Sequence, residues 1–346
     1  MRKLIPIALA FFLMHAGCSR AANEEDESLP QRQRGEEVAT FSGGRYWALE
    51  AAFEPLDGVR EVVSGYSTDN NKGGNAPLSA DKTVKLEAVQ VYFNPAVISY
   101  SELLDIFWQQ IDPTDATGSF NDRGSQYRSA IFYHSLRQKE IANASKHALG
   151  NSGKFNAALA TPIEKFQEFA KAVDQDYYKN NPEQYREFLK ASGRQENRQV
   201  RGYSAPDKAT LRKTLSQLQY RVTMEDATEP AFNNAYDKND QAGIYVCVVS
   251  GAPLFSSRDK FDSKTGWPSF TKPIDARLLE KPVDTSYGMI RVEVRSKYGK
   301  SHVGHVFNDG PNPTNLRYCM NSAAMRFVPK DSMRQQGYSE YLWMVE

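Results

Sequence analysis

Cys319 sits in the run NLRYCMNSA, with Arg317 two residues before it and Asn321 two after. On a β-strand a spacing of two places all three side chains on one face. A guanidinium beside a thiol favours the thiolate, the form of cysteine that attacks. His302 and His305 lie upstream in SHVGHVF, and Asp309 follows in NDGP. Imidazoles exchange protons near neutral pH, so the set reads as a thiolate nucleophile with proton donors beside it. A second reading makes His302, His305 and Asp309 metal ligands in a β-barrel protein. A third is an envelope binding or scaffold protein without catalysis. Asp309 alone would also suit a turn.

Short runs rich in Val, Ile, Tyr and Phe must carry these residues: 243–251, 289–297, 302–307 and 315–329. Gly, Pro and Asn punctuate them, so this half reads as β-rich and barrel-like. Leu211, Leu215 and Leu218 recur at helical spacing and predict one helix over 209–218. Residues 201–210, with Gly and Pro, read as a linker. The first half alternates strand and helix patterns: VATFS, Gly43-Gly44, YWALEAAFEPL, VVSGY, VKLEAVQVYF, SELLDIFWQQI. That alternation suggests an α/β domain, so the whole chain is predicted to be α+β. A strand, two glycines and a helix make a turn that aims backbone N–H groups at its mouth.

The chain has 346 residues, enough for two domains at roughly 150 each. Its 43 basic and 42 acidic side chains leave a charge of +1, so no basic field recruits nucleic acid. Apolar residues at 40% exclude wholesale disorder. Three cysteines, Cys18, Cys247 and Cys319, are too few for a disulfide framework or a four-cysteine zinc site. Arg2 and Lys3 precede an apolar stretch, Leu4 to Met14, of export-signal length. Ala16 and Gly17 then lead into Cys18, and this start resembles a bacterial lipoprotein signal. It implies export to the periplasm or outer membrane, with Cys18 as a lipid anchor. Residues 19–37 read as a polar tether.

Over residues 38–200 the sequence resembles the methionine-S-sulfoxide reductases, the A type. GGRYWALEAAF, GVREVVSGY, EAVQVYFNPAVISYSELLDIFWQQIDPT, NDRGSQYRSAIFYHS and DQDYYKNNPEQY carry the resemblance. In that family the first motif is Gly-Gly-Cys-Phe-Trp, and its cysteine is the nucleophile. This chain has Arg45 there, a side chain with no nucleophilic lone pair. The rest of the pocket that the resemblance implies survives as Tyr46, Trp47, Glu87, Asp122 and Tyr127. A domain without reductase activity is expected, with Arg45 paired to Glu87.

Over residues 208–332 the sequence resembles the methionine-R-sulfoxide reductases, the B type. LQYRVT, YVCVVSGAPLFSSRDKFDSKTGWPSF, VRSKYGKSHVGHVFNDGP and LRYCMNSAAMRF carry it, in the family order. The resemblance implies that Cys319 is the nucleophile and that His302, His305 and Asn321 line the sulfoxide oxygen. It implies Trp267 against the sulfur-bound methyl, with Asp309 and Arg317 organising the site. The substrate would be oxidised methionine in proteins. Many members carry a resolving cysteine just before GWPSF, where this chain has Thr265. Zinc-containing members have Cys-x-x-Cys where this chain has Cys247 and Ser250, so no bound metal or cofactor is expected. Cys247 is then a small buried hydrophobe, and an external dithiol of the thioredoxin type reduces Cys319 after turnover.

Overall fold

A computed structural model describes residues 28–69, 84–192 and 203–345. The export signal, Cys18, the start of the tether and the first two linker residues lie outside the described residues.

The N-terminal domain is built on a six-stranded sheet. Its strands are β1 (Glu37–Ser42), β2 (Val59–Asp69), β3 (Val84–Phe93), β6 (Ala130–Tyr133), β7 (Ile163–Lys165) and β8 (Phe169–Lys171), in the order β7-β6-β1-β3-β2-β8. The hairpin β4 (Gly118–Ser119) and β5 (Asp122–Arg123) stands apart. Every pair in the large sheet is antiparallel except β6–β7. The alternating pattern therefore makes an α+β domain rather than a parallel α/β one. Helices α1 (Tyr46–Phe53), α2 (Tyr100–Gln110) and α3 (Leu136–Gly150) accompany the sheet, and α4 (Tyr177–Asn180) and α5 (Pro182–Ser192) end the domain. Phe41 stacks on Phe53, Tyr100 and Phe107 in the core they share. α2 starts on a capping box: Ser99 caps Glu102 N–H, and the Glu102 carboxylate returns to Ser99 N–H.

The C-terminal domain opens with α6 (Lys208–Thr214) and α7 (Gln217–Met224). The predicted single helix is thus broken at Leu215–Ser216. The reason is local: Ser216 and Gln219 form a second capping box, which starts a new helix. A three-stranded sheet, β10-β9-β18, joins β9 (Gly243–Cys247), β10 (Pro253–Ser256) and β18 (Met325–Pro329). A larger sheet runs β11-β12-β17-β16-β15-β13, with β14 also on β15. Its strands are β11 (Lys260–Phe261), β12 (Ser269–Phe270), β13 (Leu279–Glu280), β14 (Val283–Asp284), β15 (Arg291–Ser296), β16 (Ser301–Phe307) and β17 (Arg317–Met320). Tyr245 and Phe255 of the small sheet pack on Phe270 and Tyr318 of the large one. The β-rich half is therefore two sheets over one core. α8 (Lys330–Met333) follows.

The two domains touch. Ala276 of the C-terminal domain packs into the N-terminal core. Lys272 pairs with Asp105 at 2.6 Å, and Arg277 reaches Gln109.

Candidate active site

Antiparallel pairing of β17 with β16 sets Cys319 opposite His305, and pairing with β12 sets it opposite Ser269. Alternation on β17 buries Tyr318 and Met320 and leaves Arg317 and Cys319 half-buried on the other face. Arg317 is held by a two-point pair with Asp309, Nε to Oδ1 at 2.8 Å and Nη2 to Oδ2 at 2.9 Å. Its guanidinium lies 4.4 Å over the Phe307 ring, and its charge acts on the Cys319 thiol. Asp309 thus holds the Arg317 guanidinium at two points.

Asn321 departs from expectation. β17 ends at Met320, and Asn321 turns inward. Its Oδ1 accepts from Glu229 N–H at 3.0 Å, and its Nδ2 donates to the Val303 carbonyl at 3.2 Å. Both ends of the amide are committed to backbone, so it holds the wall of the site rather than facing Cys319. Glu229 is the hub of that wall: its carboxylate accepts from Ser322 and Ala323 N–H, and its carbonyl from Trp267 Nε1. Trp267 is half-buried and pinned by this bond.

A cluster of hydroxyls surrounds the sulfur. Thr265 Oγ1 stands 3.9 Å from Cys319 Sγ. Ser263 Oγ lies 2.8 Å from both Thr265 Oγ1 and Ser269 Oγ. Burial pushes the Cys319 thiol above its ordinary pKa, against the pull of Thr265, Arg317 and Ser269. Arg317 pulls toward the thiolate, and desolvation outweighs that pull.

Each histidine has a carboxylate that the motifs did not reveal. His302 Nδ1 lies 2.6 Å from Glu293 Oε1, and His305 Nε2 lies 2.8 Å from Asp284 Oδ2. Carboxylates accept, so these nitrogens carry the protons. His302 is buried, and its Nε2 has no partner among the described residues. The two imidazole rings meet edge to face at 5.4 Å. Burial lowers the His305 pKa despite Asp284. Burial raises Glu293, but His302 and Arg295 bring it below its usual value. Asp284 is held well below the carboxylate range by Ser286, then His305 and Arg291.

The metal reading of His302, His305 and Asp309 does not assemble, because each is engaged by a different partner. Among the described residues, Asp226, Glu293 and His302 do place ligand atoms within 4.8 Å of one another. Arg295 Nη1 already bonds Asp226 at 2.9 Å and Glu293 at 2.6 Å, supplying the positive charge. Cys247 is buried with Sγ 3.6 Å from Ser301 Oγ. A Cβ on Gly299 would meet that sulfur and Ser296 Oγ. One thiol among hydroxyls does not fit a zinc ion. Cys247 packs on Ser301 and Cys319 pairs with His305, and these two β16 residues are four apart, about 13 Å along the strand.

In the N-terminal domain, Gly44 has φ +85° and Arg45 N-caps α1 without a side-chain cap bond. The Arg45–Glu87 pairing is not what forms. Arg45 Nε lies 3.3 Å from Asp122 Oδ1, and its N–H donates to Asp122 Oδ2. Glu87 accepts from Tyr46 N–H at 3.1 Å instead, and burial raises its pKa. The Arg45 guanidinium lies over Tyr127 and Trp47, at 5.3 and 5.8 Å. Asp122, on the β4–β5 hairpin, and Glu87 each accept a backbone N–H at the start of α1. A cavity of about 440 Å³ remains, lined by Arg45, Tyr46, Trp47, Glu87, Tyr177 and Phe188 among others.

The family model for peptide methionine sulfoxide reductase matches residues 37–204, and the SelR domain model matches residues 215–329. A peptide methionine sulfoxide reductase MsrA/MsrB of Vibrio cholerae is 44% identical over 350 residues, covering 93% of each chain. Among solved structures, Mxr1 from Saccharomyces cerevisiae in reduced form is 28% identical. It covers 44% of this chain and 90% of its own, with a TM-score of 0.37. Methionine sulfoxide reductase A of Corynebacterium diphtheriae is also 28% identical, covering 43% and 77%, with a TM-score of 0.35.

Proposed function

The chain belongs to the peptide methionine sulfoxide reductases, and from that membership we propose that its C-terminal domain reduces the R form in proteins through Cys319, while its N-terminal domain does not turn over. The observation that carries the proposal is the Cys319 sulfur itself, set among Arg317, Thr265 and Ser269 and opposite His305.

The Cys319 thiolate attacks the sulfoxide sulfur, and the sulfur–oxygen bond breaks. The oxide takes a proton and ends on Cys319 as sulfenic acid, and methionine leaves. His302 is one candidate donor: Glu293 fixes its Nδ1–H, so a second proton taken up at Nε2 makes an imidazolium that can deliver it. His305, fixed by Asp284, supports it. Trp267 offers its face to the methyl group.

An external thiol then attacks the sulfenic sulfur and releases water, and its second thiol frees Cys319. A dithiol donor of the thioredoxin type fits, because Cys247 is buried and strand-distant. The N-terminal domain has Arg45 where a thiolate is needed, and no lone pair replaces it.

Separate assays of R- and S-methionine sulfoxide test the proposal. R turnover should vanish in Cys319→Ser, and S turnover should be absent throughout. S reduction by the unmodified chain would overturn the dead-domain reading.

Location belongs to the same proposal. Arg2, Lys3, the apolar run Leu4 to Met14 and Cys18 support export and lipid anchoring. Fractionation of cells carrying Cys18→Ala should move the protein from membrane to soluble fraction. An unprocessed cytoplasmic chain would refute it.

A further inference from the structure

The N-terminal domain meets the C-terminal one through a buried polar network directly behind the nucleophile. Lys281 and Glu102 are each about 1% exposed at the side chain, and Tyr318 is fully buried. Lys281 Nζ donates to Glu102 Oε1 at 2.9 Å, to the Val97 carbonyl at 2.8 Å and to Tyr318 Oη at 2.7 Å. Tyr318 Oη donates to the same Glu102 Oε1 at 2.8 Å. The other Glu102 oxygen holds the Ser99 cap. All three ammonium protons and both carboxylate oxygens are used. Such a network specifies one arrangement, because leaving any member unpaired is costly.

Tyr318 is the residue before Cys319. Their side chains leave β17 on opposite faces. The network grips the phenol on one face, and the pairs Tyr318–Val306 and Tyr318–Phe270 grip its backbone. The peptide that carries Cys319 is therefore fixed from a helix of the other domain.

We propose that the N-terminal domain serves as a brace for the active strand, with Glu102 a positioning residue that acts on Cys319 through Tyr318. Retention of a folded domain without its nucleophile then has a use: it sets the depth and angle of the neighbouring domain's sulfur. Small displacements of a reacting atom are expensive, so a fixed strand matters to rate more than to binding. This inference rests on Cys319 being the nucleophile.

The test uses the full chain with Glu102→Gln and Tyr318→Phe, alone and combined, and Arg137→Ala as a control. Arg137 donates to the Pro313 carbonyl across the domains, away from the network. kcat is taken per alkylatable Cys319, so loss of folded protein does not count. Each network variant should lower kcat about ten-fold or more with KM little changed, and slow Cys319 alkylation. The double variant should be no worse than the worse single, because both act through one network. Arg137→Ala should leave kcat alone. Unchanged kcat per titrated thiol, with only a lower melting temperature, would reduce the network to plain stability and overturn the brace. If Cys319→Ser keeps its R turnover, the nucleophile assignment has failed instead.

Discussion

The Thr265 hydroxyl stands 3.9 Å from the Cys319 sulfur, within a cluster it shares with Ser263 and Ser269. The sulfur is half-buried, so these donors and Arg317 are what stabilise a thiolate there. Burial still wins and raises the thiol pKa. The thiolate is the reactive form, so the alkylation rate of Cys319 should rise with pH through a midpoint above the ordinary cysteine value. Thr265→Val and Arg317→Met each remove a lowering interaction and should push that midpoint higher. Alkylation at neutral pH then slows about ten-fold for every whole pH unit by which the midpoint climbs. Thr265→Ser should keep the wild-type profile. A lower midpoint in Arg317→Met would contradict the electrostatics.

The same proximity offers a thiol a place to act. Thr265→Cys puts a second sulfur where the hydroxyl now is, within reach of a bond after a small adjustment. Treated with R-sulfoxide and no reductant, that variant should lose both reactive thiols to a disulfide visible in peptide mapping. The unmodified chain should instead accumulate a sulfenic acid that dimedone traps. Continued dimedone labelling of Thr265→Cys would show that the two side chains cannot meet.

Asn321 makes a prediction of the opposite kind. Its amide ties Glu229 N–H to the Val303 carbonyl inside the wall. Asn321→Ala leaves the Glu229 N–H buried without its acceptor, a cost of about 1–3 kcal/mol, while the Val303 carbonyl keeps its bond from the backbone N–H of residue 321. Melting should fall by several degrees, while KM for R-sulfoxide stays near the original. A raised KM with unchanged melting would return Asn321 to the substrate.

Much of this site is legible in the sequence, and the reasons for the rest are physical. Arg317 and Cys319 are two apart on one strand, and alternation fixes their common face. Asn321 has the same spacing, but the strand stops at Met320, and pattern alone does not place that end. Glu293 and Asp284 reach His302 and His305 only through strand pairing across β14, β15 and β16. Ser269 arrives through β12 and Thr265 through the turn before it, and no spacing rule links them to Cys319. Glu102 and Lys281 are 179 residues apart. The break at Ser216 is readable, since Ser-x-x-Gln is a helix-start signature; the leucine spacing conceals it.

Arg45→Cys asks what the N-terminal pocket has kept. The cavity of about 440 Å³, the Glu87 carboxyl and the aromatic lining remain around the start of α1. A thiol there would sit at a helix N-terminus, which stabilises a thiolate. Burial shifts the Glu87 pKa upward, in the direction that favours proton donation to an oxide. The variant, with Cys319→Ser added to silence the other domain, should gain S-sulfoxide reduction that Glu87→Gln abolishes. Chiral assay of the residual sulfoxide measures it. If the introduced thiol alkylates readily yet turns over neither isomer, then more than the nucleophile has been lost, and Arg45 replaced a function that the pocket no longer supports.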